Sequence, residues 1–354
     1  MPRNKSNSES LLVETKQLLA KYDLRARKGL AQHFLIDRDI LQKITEAAEL
    51  SPNDVIMEVG PGLGVLTREL VKGSGWVIAV ELDDKLASIL KENIAPAENI
   101  TVVNKDILQV EPGKLIQEFI SNIKYQISKP QIKNQIFSPE IQSVVIKAQS
   151  LKYKVVANLP YYITSAVLRH FLETASIKPK IMVIMVQKEI AQAIIAPAGD
   201  SSLLSASVQF YGKPSLVTYV PKESFLPAPK VASAVLRIDL FPKPAINVDD
   251  PNSFFALVKA GFKGQRKQLI NSLERGLVLP KEDIIPLLDN AGIDSKRRAQ
   301  TLTLEEWQTL YELVCQRFPN SLRAGVKQAE AQERKVKIKY ASRPGPTKSQ
   351  KWEQ

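Results

Sequence analysis

The first residues that point to chemistry form a glycine-rich turn, Glu58-Val-Gly-Pro-Gly-Leu-Gly-Val-Leu-Thr67, between an apolar run and a helical pattern. Three glycines at alternate positions let the backbone approach a ligand where a Cβ atom would collide. A nicotinamide-binding turn would have the spacing G-x-G-x-x-G, whereas the spacing here is G-x-G-x-G. Taken alone, the turn also fits an ordinary tight connection between a strand and a helix.

Two acidic residues follow the next two apolar runs. Glu81 closes the run Val77–Val80, where a carboxylate can accept hydrogen bonds from both hydroxyls of a ribose. Asp106 follows the run Ile100–Asn104, where it can accept from the amine of an adenine. Either acid alone is more often simply solvated. Because the carboxyl ends of parallel strands meet at one edge of a sheet, the turn and both acids together predict a nucleoside pocket.

A fourth motif, Asn158-Leu-Pro-Tyr161, suits the handling of an aromatic amine. Such an amine is a poor nucleophile because its lone pair is delocalised into the ring. The Asn158 side chain and the Leu159 carbonyl can hold both N–H groups and draw the nitrogen toward tetrahedral geometry. Tyr161 offers a ring to stack on a flipped-out base. Four such residues alone would indicate an Asx-type turn, but after the other three motifs they favour group transfer to a base amine.

The elements that must position these motifs alternate between strands and helices. Near-continuous apolar strands separated by helical patterns predict a parallel sheet covered on both faces. These strands are predicted at Val55–Val59, Val77–Leu82, Ile100–Asn104, Lys154–Ala157 and Ile181–Val186. Two further runs without an intervening helix, Ser215–Val220 and Ser233–Leu240, predict an antiparallel edge. We therefore predict an α/β fold with a Rossmann-like, mostly parallel sheet of seven strands.

Composition and charge narrow the class of protein. The chain has 354 residues, 44% of them hydrophobic, so it can bury a core. It shows no apolar run of membrane-spanning length and no signal-like N-terminus, and its one cysteine, Cys315, is accompanied by only two histidines. We expect a cytoplasmic protein without membrane or metal partners. Of the net charge of +12, residues 1–31 carry +4 and residues 320–354 carry +6. Two basic ends of the chain suit binding to nucleic acid, although they also fit tails that are merely solvated.

A change of pattern after Phe241 predicts the domain boundaries. Prolines mark a linker there, and helices are expected at Phe254–Gly276, Lys281–Ala291 and Leu304–Phe318. The polar stretch Ser121–Ser150 predicts a surface insertion. We divide the chain into a basic arm at 1–31, an α/β domain at 32–241, a helical domain at 242–318 and a basic, disordered tail at 319–354.

Taken together, the motifs resemble those of the ribosomal RNA adenine dimethyltransferase family, which has them in the same order. The G-x-G-x-G turn is similar to motif I of S-adenosylmethionine-dependent methyltransferases. The match also includes Gln32-His-Phe-Leu35 and Phe225-Leu-Pro-Ala-Pro-Lys-Val-Ala-Ser233, and it covers about Lys28 to Phe318. It looks like the KsgA type, which dimethylates two adjacent adenines near the 3′ end of bacterial small-subunit ribosomal RNA. The insertion and the tail have no counterpart in the family core.

The resemblance implies N(6),N(6)-dimethylation of 16S rRNA within the 30S subunit, a role in 30S biogenesis, and S-adenosylmethionine as methyl donor. It implies that the cofactor is held by His33, Leu35, Gly60, Glu81, Asp106 and Asn158. It implies further that Asn158, Leu159 and Tyr161 grip the target base and that Phe225 stacks on its other face. We expect Phe225 to be exposed on a rigid loop, although such a residue taken alone is more often in a core. His33, taken alone, would be structural.

A basic ridge is expected to meet RNA phosphates. Lys259, Lys263 and Arg266 lie at i, i+4 and i+7 of the predicted helix Phe254–Gly276, although such ridges are usually solvated. The stretch resembles the basic signature of the family, except that Gln265 replaces an Arg. We expect the protein to be a monomer.

Two alternatives stay open on the same fold. One is the Erm type, which modifies an adenine of 23S rRNA; Leu159 and the Pro-rich loop after Phe225 favour the KsgA type. The other is a non-catalytic RNA-binding or ribosome assembly factor. Loss of Gly60, Glu81, Asp106 or Asn158 would mark such a protein, and all four are present.

Overall fold

The computed structural model describes residues 5–24, 33–94, 97–128, 153–264, 266–323 and 326, without the side chains of 5–10 and 123–128. Within these limits the chain forms two compact units. The first is made of residues 5–191 and 214–240, and the second of 192–213 and 241–326. The first unit contains the main sheet, and the second consists largely of helices.

The main sheet is the predicted one. The described strands are β1 (Phe34–Leu35), β2 (Val55–Val59), β3 (Trp76–Glu81), β4 (Ile100–Asn104), β5 (Tyr153–Asn158), β6 (Ile181–Gln187), β7 (Gly212–Val220), β8 (Phe225–Leu226) and β9 (Ser233–Leu240). Seven of them form one sheet in the order β4-β3-β2-β5-β6-β9-β7, and β1 pairs with β8 in a separate ribbon. Strands β2 to β6 are all parallel to one another, whereas β9 is antiparallel to β6. The predicted mostly parallel sheet with an antiparallel edge is confirmed.

The helices lie before, between and after these strands. They are α1 (Lys5–Lys21), α2 (Arg38–Ala48), α3 (Val65–Gly73), α4 (Asp84–Ile94), α5 (Pro112–Ser128), α6 (Thr164–Arg169), α7 (Lys188–Ile195), α8 (Leu203–Tyr211), α9 (Pro251–Phe262), α10 (Leu269–Leu277), α11 (Lys281–Asn290) and α12 (Leu304–Arg317). Their ends follow local chemistry, as where the Asp37 carboxylate accepts from the backbone N–H groups of Asp39 and Ile40 and so caps α2. None of the described helices is long and apolar enough to span a membrane.

The central strands are apolar throughout because both faces of the sheet are covered. Ile56, Val77, Val156 and Val183 are fully buried, so no face of these strands can carry polar residues except near the strand ends. The parallel register pairs Val59 with Val80, Glu81 with Asn104, and Asn158 with Met185. The carboxyl ends of β2, β3, β4 and β5 therefore meet at one edge of the sheet.

The predicted long helix Phe254–Gly276 is wrong, because the structure has two helices there. Helix α9 ends at Phe262, a turn follows in which the Lys267 N–H donates to the Gly264 carbonyl over 2.7 Å, and α10 begins at Leu269. The two helices pack closely, since a Cβ atom added to Gly276 would lie 2.4 Å from the Cβ of Ala260. Burial of α10 against α9 decides this break, and a period of 3.6 residues alone does not reveal it.

The predicted insertion and tail lie mostly outside the described residues. At the start of the insertion, the chain simply continues α5 as far as Ser128. At the start of the tail, residues 319–323 are helical and Leu322 is buried, so the prediction of disorder is wrong for these five residues. A single apolar side chain in a polar stretch is enough to hold such a helical turn by its burial.

A buried lysine joins the sheet to α2 at the edge opposite the nucleoside motifs. Lys154, at the beginning of β5, is 5% exposed, and its Nζ donates to the carbonyls of Ala48 and Glu49 and to the carboxylate of Asp54. The three bonds are 3.0, 2.6 and 2.8 Å long. A buried cation is tolerated only when its donors are satisfied in this way.

We expect Lys154→Met to lower the free energy of unfolding by about 2–4 kcal/mol, because the Asp54 carboxylate and two carbonyls lose their donor. Lys72→Met is the matched control, since Lys72 is exposed and pairs with Glu69 one helical turn away. That variant should change the free energy by less than about 0.5 kcal/mol. Equal effects of both substitutions in urea denaturation would contradict the assignment.

Candidate active site

The glycine-rich turn after β2 is tied to its neighbours by backbone and packing. Gly60, Gly62 and Gly64 all have positive φ, at 68°, 58° and 79°. The Gly60 N–H donates to the Val80 carbonyl over 2.9 Å and so extends the β2–β3 pairing into the turn. At Gly64 a Cβ atom would lie 2.6 Å from Leu90 Cδ1, so glycine is also required for close packing on α4. The turn is thereby held at the carboxyl end of β2.

The Glu81 carboxylate faces this turn. Its Oε2 accepts from the Gly62 N–H over 3.0 Å and its Oε1 from the Asp83 N–H over 2.9 Å. Each oxygen retains a second lone pair, so the carboxylate can still accept from a ligand. Burial raises the pKa of Glu81 to about 7, although the two N–H donors favour the charged form. Asp83 has a different role, since its own carboxylate caps α4 through Lys85 and Leu86.

A second buried carboxylate, Glu58, lies in β2 just before the turn. It is 1% exposed, and among the described residues its Oε2 has no hydrogen-bond partner. Burial, with a smaller contribution from the nearby charge of Glu81, raises the pKa of Glu58 to about 8. The glycine-rich motif that Glu58 begins predicts no role for its side chain. The available signal was an acid in the interior of an otherwise apolar strand.

Asp106 shapes the turn that follows β4. Its carboxylate accepts from the Leu108 N–H over 2.9 Å and from the Gln109 side chain over 3.3 Å. The same turn is fastened from the other side by His170, a buried residue whose Nε2 lies 2.7 Å from the Val110 carbonyl. His170 opens a short π-helix, His170–Thr174, that continues α6. No sequence motif marks His170 as part of this turn.

Asn158 ends β5 with its side-chain amide oriented by a neighbour. Its Nδ2 donates to the His33 carbonyl over 3.3 Å. Its Oδ1 accepts no hydrogen bond from the described part of the chain, so the acceptor end of the amide is available to a ligand. Leu159 follows, 1% exposed, and its N–H donates to the Met185 carbonyl of β6 over 3.1 Å. The turn is therefore rigidly attached to the sheet at the point where the amide projects.

Tyr161 and His33 form the side of the site next to Asn158. The two rings stack with centroids 5.8 Å apart and planes inclined by 26°. The Tyr161 hydroxyl lies 2.7 Å from the Ser233 hydroxyl, and burial raises the Tyr161 pKa, so this phenol stays protonated at neutral pH. The His33 Nδ1 lies 2.8 Å from the Pro227 carbonyl. His33 thus connects the Asn158 turn with the loop that follows β8.

Phe225 is not exposed, and that prediction is wrong. It is 3% exposed, because β8 pairs with β1 so that Phe225 lies opposite Leu35. Both side chains belong to the apolar core of the first unit. A Ser224–Asp37 hydrogen bond of 2.7 Å closes the same ribbon. The prolines after Phe225 suggested a projecting loop, but the pairing of β1 with β8 buries the ring.

The basic ridge belongs to the second unit and is not one helical face. Lys259 lies in α9 and is half-buried, whereas Lys263 follows the last residue of that helix. Arg266 lies beyond it, in the turn before α10, and both Lys263 and Arg266 are exposed. The predicted i, i+4, i+7 spacing is therefore wrong for Arg266. Among the described residues no cluster of His, Cys, Asp and Glu side chains could hold a metal ion.

Comparison with known proteins identifies the family. The model of the ribosomal RNA adenine dimethylase family matches residues 23–314. The chain belongs to this family. It is accordingly an rRNA adenine dimethyltransferase, and S-adenosylmethionine is the methyl donor of such enzymes. The G-x-G-x-G turn, Glu81, Asp106 and the Asn158 turn, which the fold brings to one edge of the sheet, all lie within the matched residues.

Individual relatives match this chain over most of its length and nearly all of their own. Ribosomal RNA small subunit methyltransferase A of Dehalococcoides mccartyi (strain ATCC BAA-2266 / KCTC 15142 / 195) is 45% identical over 311 residues, which cover 87% of this chain and 95% of the relative. The protein of the same name from Alkaliphilus metalliredigens (strain QYMF) is 37% identical over 86% of this chain and 97% of its own. The crystal structure of the 23S rRNA methyltransferase ErmE is more distant, at 28% identity and a TM-score of 0.55, covering 79% of this chain and 98% of that one.

We expect Glu58→Gln to stabilise the fold at neutral pH. A carboxyl with a pKa near 4.5 when unfolded and about 8 when folded binds more protons in the folded state, so its contribution to stability falls as pH rises from 4.5 to 8. The amide does not titrate, so the variant should gain about 2–3 kcal/mol at pH 7 and nothing at pH 4.

Thermal or urea unfolding at both pH values measures this difference. Glu69→Gln is the control, because Glu69 lies on the surface of α3 beside Lys72 and should show no such pH-dependent gain. A Glu58→Gln protein whose free energy of unfolding stays parallel to that of the wild type from pH 4 to 8 would contradict the burial argument.

Proposed function

We propose that this enzyme dimethylates the exocyclic amines of two adjacent adenines near the 3′ end of 16S rRNA in the 30S subunit, and contributes to 30S biogenesis. The observation that carries the site assignment is the orientation of the Asn158 amide, whose Nδ2 is held by the His33 carbonyl while Oδ1 remains available. The choice of 16S rRNA is supported by the relatives of 37–45% identity, whose names refer to the small subunit. The 23S-specific relative is more distant.

The residues at the edge of the sheet suit S-adenosylmethionine. The glycine turn exposes backbone, the Glu81 carboxylate has acceptor capacity for ribose hydroxyls, and Asp106 lies at the end of the next strand. We assign the binding of the methyl donor to His33, Leu35, Gly60, Glu81, Asp106 and Asn158. When bound, it supplies the methyl group, which passes from its sulfonium sulfur to the adenine nitrogen.

The protein's part in that transfer is to hold the amine. The Asn158 Oδ1 and the Leu159 carbonyl accept the two N–H groups, which draws the lone pair out of the ring and aims it at the methyl carbon. Tyr161 stacks on one face of the base. Because the sulfonium is an excellent electrophile, the proton can leave to solvent after the new C–N bond has formed. Phe225, buried opposite Leu35, supports the chain at β1.

RNA is held by basic groups outside this pocket. We assign phosphate contacts to Lys259, Lys263 and Arg266, and we keep the division into an arm at 1–31, an α/β domain at 32–241, a helical RNA-binding domain at 242–318 and a tail at 319–354. The exposure of Lys263 and Arg266 supports the assignment, because solvated cations at a helix end are free to meet phosphate. The enzyme acts as a monomer in the cytoplasm, where its ribosomal substrate is assembled.

We expect Asn158→Ala to lower kcat/KM for methyl transfer to unmethylated 30S subunits by at least about 100-fold, because the acceptor for the amine is lost. The measurement is incorporation of label from S-adenosylmethionine into 16S dimethyladenine, with 50S subunits in parallel. Label found only in 50S subunits would support the Erm type instead. Binding to 30S without any transfer by the wild type would support a non-catalytic assembly factor.

Tyr161 offers a matched pair of variants within the same assay. Tyr161→Phe keeps the ring and loses only the hydroxyl, which bonds to Ser233. Tyr161→Ala also removes the stacking surface, and we expect it to cost at least about tenfold more in kcat/KM than Tyr161→Phe. Equal losses would assign the role of Tyr161 to its hydrogen bond and not to its ring.

The binding of S-adenosylmethionine should weaken as pH falls, because the carboxylate of Glu81 must be charged to accept well. With a Glu81 pKa of about 7 in the free enzyme, the Kd should be about tenfold higher at pH 6 than at pH 8.5. Glu81→Gln should bind more weakly and lose this part of the pH dependence. Calorimetric titration of both proteins tests the idea, since titration of the ligand's own amine is common to both. Identical pH profiles would refute it.

A further inference from the structure

An exposed tyrosine lies on the outermost strand of the sheet. Tyr219 of β7 is 45% exposed, and the ammonium of Lys188 lies 5.3 Å from the centroid of its ring. An exposed aromatic ring on an edge strand offers a surface for contact with other molecules. The combination of an accessible ring and an adjacent cation is a feature of surfaces that bind nucleotides.

Two contacts show at which end of the sheet this ring lies. Lys188 directly follows Gln187, which pairs with Ser233, and its N–H donates to the Ala232 carbonyl over 3.0 Å. At the other end, the Ser215 hydroxyl donates to the Arg237 carbonyl over 3.3 Å. Strand β7 therefore runs antiparallel to β9, and Tyr219 lies at the edge that also carries the candidate active site.

A short path of contacts connects Tyr219 to the base-gripping turn. The Tyr161 hydroxyl lies 2.7 Å from the Ser233 hydroxyl, and the backbone pairing of Ser233 with Gln187 leads directly to Lys188, which covers Tyr219. In the strand order β5-β6-β9-β7, β5 leads to Tyr161 and β7 carries Tyr219. At about 4.8 Å per strand spacing the two strands lie about 14 Å apart, a distance that a short extended stretch of RNA spans. The ring is thus placed for a nucleotide of the same RNA.

The local charges suit a nucleotide better than an apolar partner. The chain from Lys213 to Lys230 carries three lysines and a single acid, Glu223, and both Lys222 and Lys230 are exposed. One further acid, Glu189, follows Lys188 and is exposed. An aromatic face supplies stacking for any base, and the lysines supply charge for its phosphate.

We propose that Tyr219 and Lys188 form a second nucleotide subsite, in which an unpaired base flanking the target adenines stacks on the Tyr219 ring while Lys188 contacts its phosphate. This subsite rests on the proposed function, since its occupant is a neighbour of the methylated adenine in the same RNA strand. It positions the RNA and takes no part in the transfer itself.

Steady-state methylation of unmethylated 30S subunits tests the subsite. Tyr219→Ala should raise the KM for 30S about tenfold, with kcat and the Kd for S-adenosylhomocysteine within about twofold of the wild type. Tyr219→Phe is the matched control and should behave as the wild type, because it keeps the ring. A melting temperature measured for both variants separates loss of stacking from loss of fold. Equal KM values for the two variants would overturn the proposal.

A photocrosslinker identifies the occupant directly. With p-benzoylphenylalanine at position 219, we expect a crosslink to 16S rRNA within a few nucleotides of the target adenines, mapped by primer extension. Crosslinks only to a ribosomal protein, or to distant RNA, would overturn the subsite. Failure of the wild-type enzyme to methylate 30S subunits would instead refute the proposed function, so the two failures are distinguishable.

Discussion

The site depends on the parallel pairing of four strands whose carboxyl ends stop at one edge of the sheet. Because β2, β3 and β5 are buried on both faces, these strands admit polar side chains only near their ends. Glu81, Asp106 and Asn158 each occupy such a position or follow it directly. The backbone itself continues the arrangement, since the Gly60 N–H extends the pairing of β2 with β3 into the glycine turn. The strand pairing that forms the sheet therefore also places the residues of the candidate pocket.

The pocket is maintained at a cost to stability. Two carboxyl groups, Glu58 of β2 and Glu81 of β3, are buried on neighbouring strands, and burial raises the pKa of Glu58 to about 8 and that of Glu81 to about 7. Such groups destabilise the folded state when they ionise. At the opposite edge of the sheet the charged groups have partners: Lys154 donates to three acceptors, and Arg237 pairs with Glu49 and Asp239.

Two loops distant in sequence complete the active edge. His33 precedes the first strand, yet its carbonyl orients Asn158 and its ring stacks on Tyr161, while its Nδ1 meets the loop after β8. One residue thus contacts the amide, the aromatic ring and the Pro227 loop. This arrangement places a residue that its sequence neighbours mark as structural within the candidate site. His170 plays a comparable part for the turn that contains Asp106.

Much of this protein follows from local pattern. Apolar runs of five or six residues, separated by helical periods, were sufficient for the sheet, and the residues that end those runs were sufficient for most of the pocket, because strand polarity places them together. Local pattern did not predict the burial of Phe225, the division of the helix after Phe262 or the burial of Leu322, since each depends on a partner distant in sequence. The same holds for the orientation of Asn158 and the juxtaposition of Tyr219 with Lys188. The sequence by itself determined which chemical groups are present and at which strand ends they lie. Tertiary packing decided which faces are covered and which atoms remain available for a ligand. The reason is that burial and hydrogen-bond pairing are properties of contacts between segments.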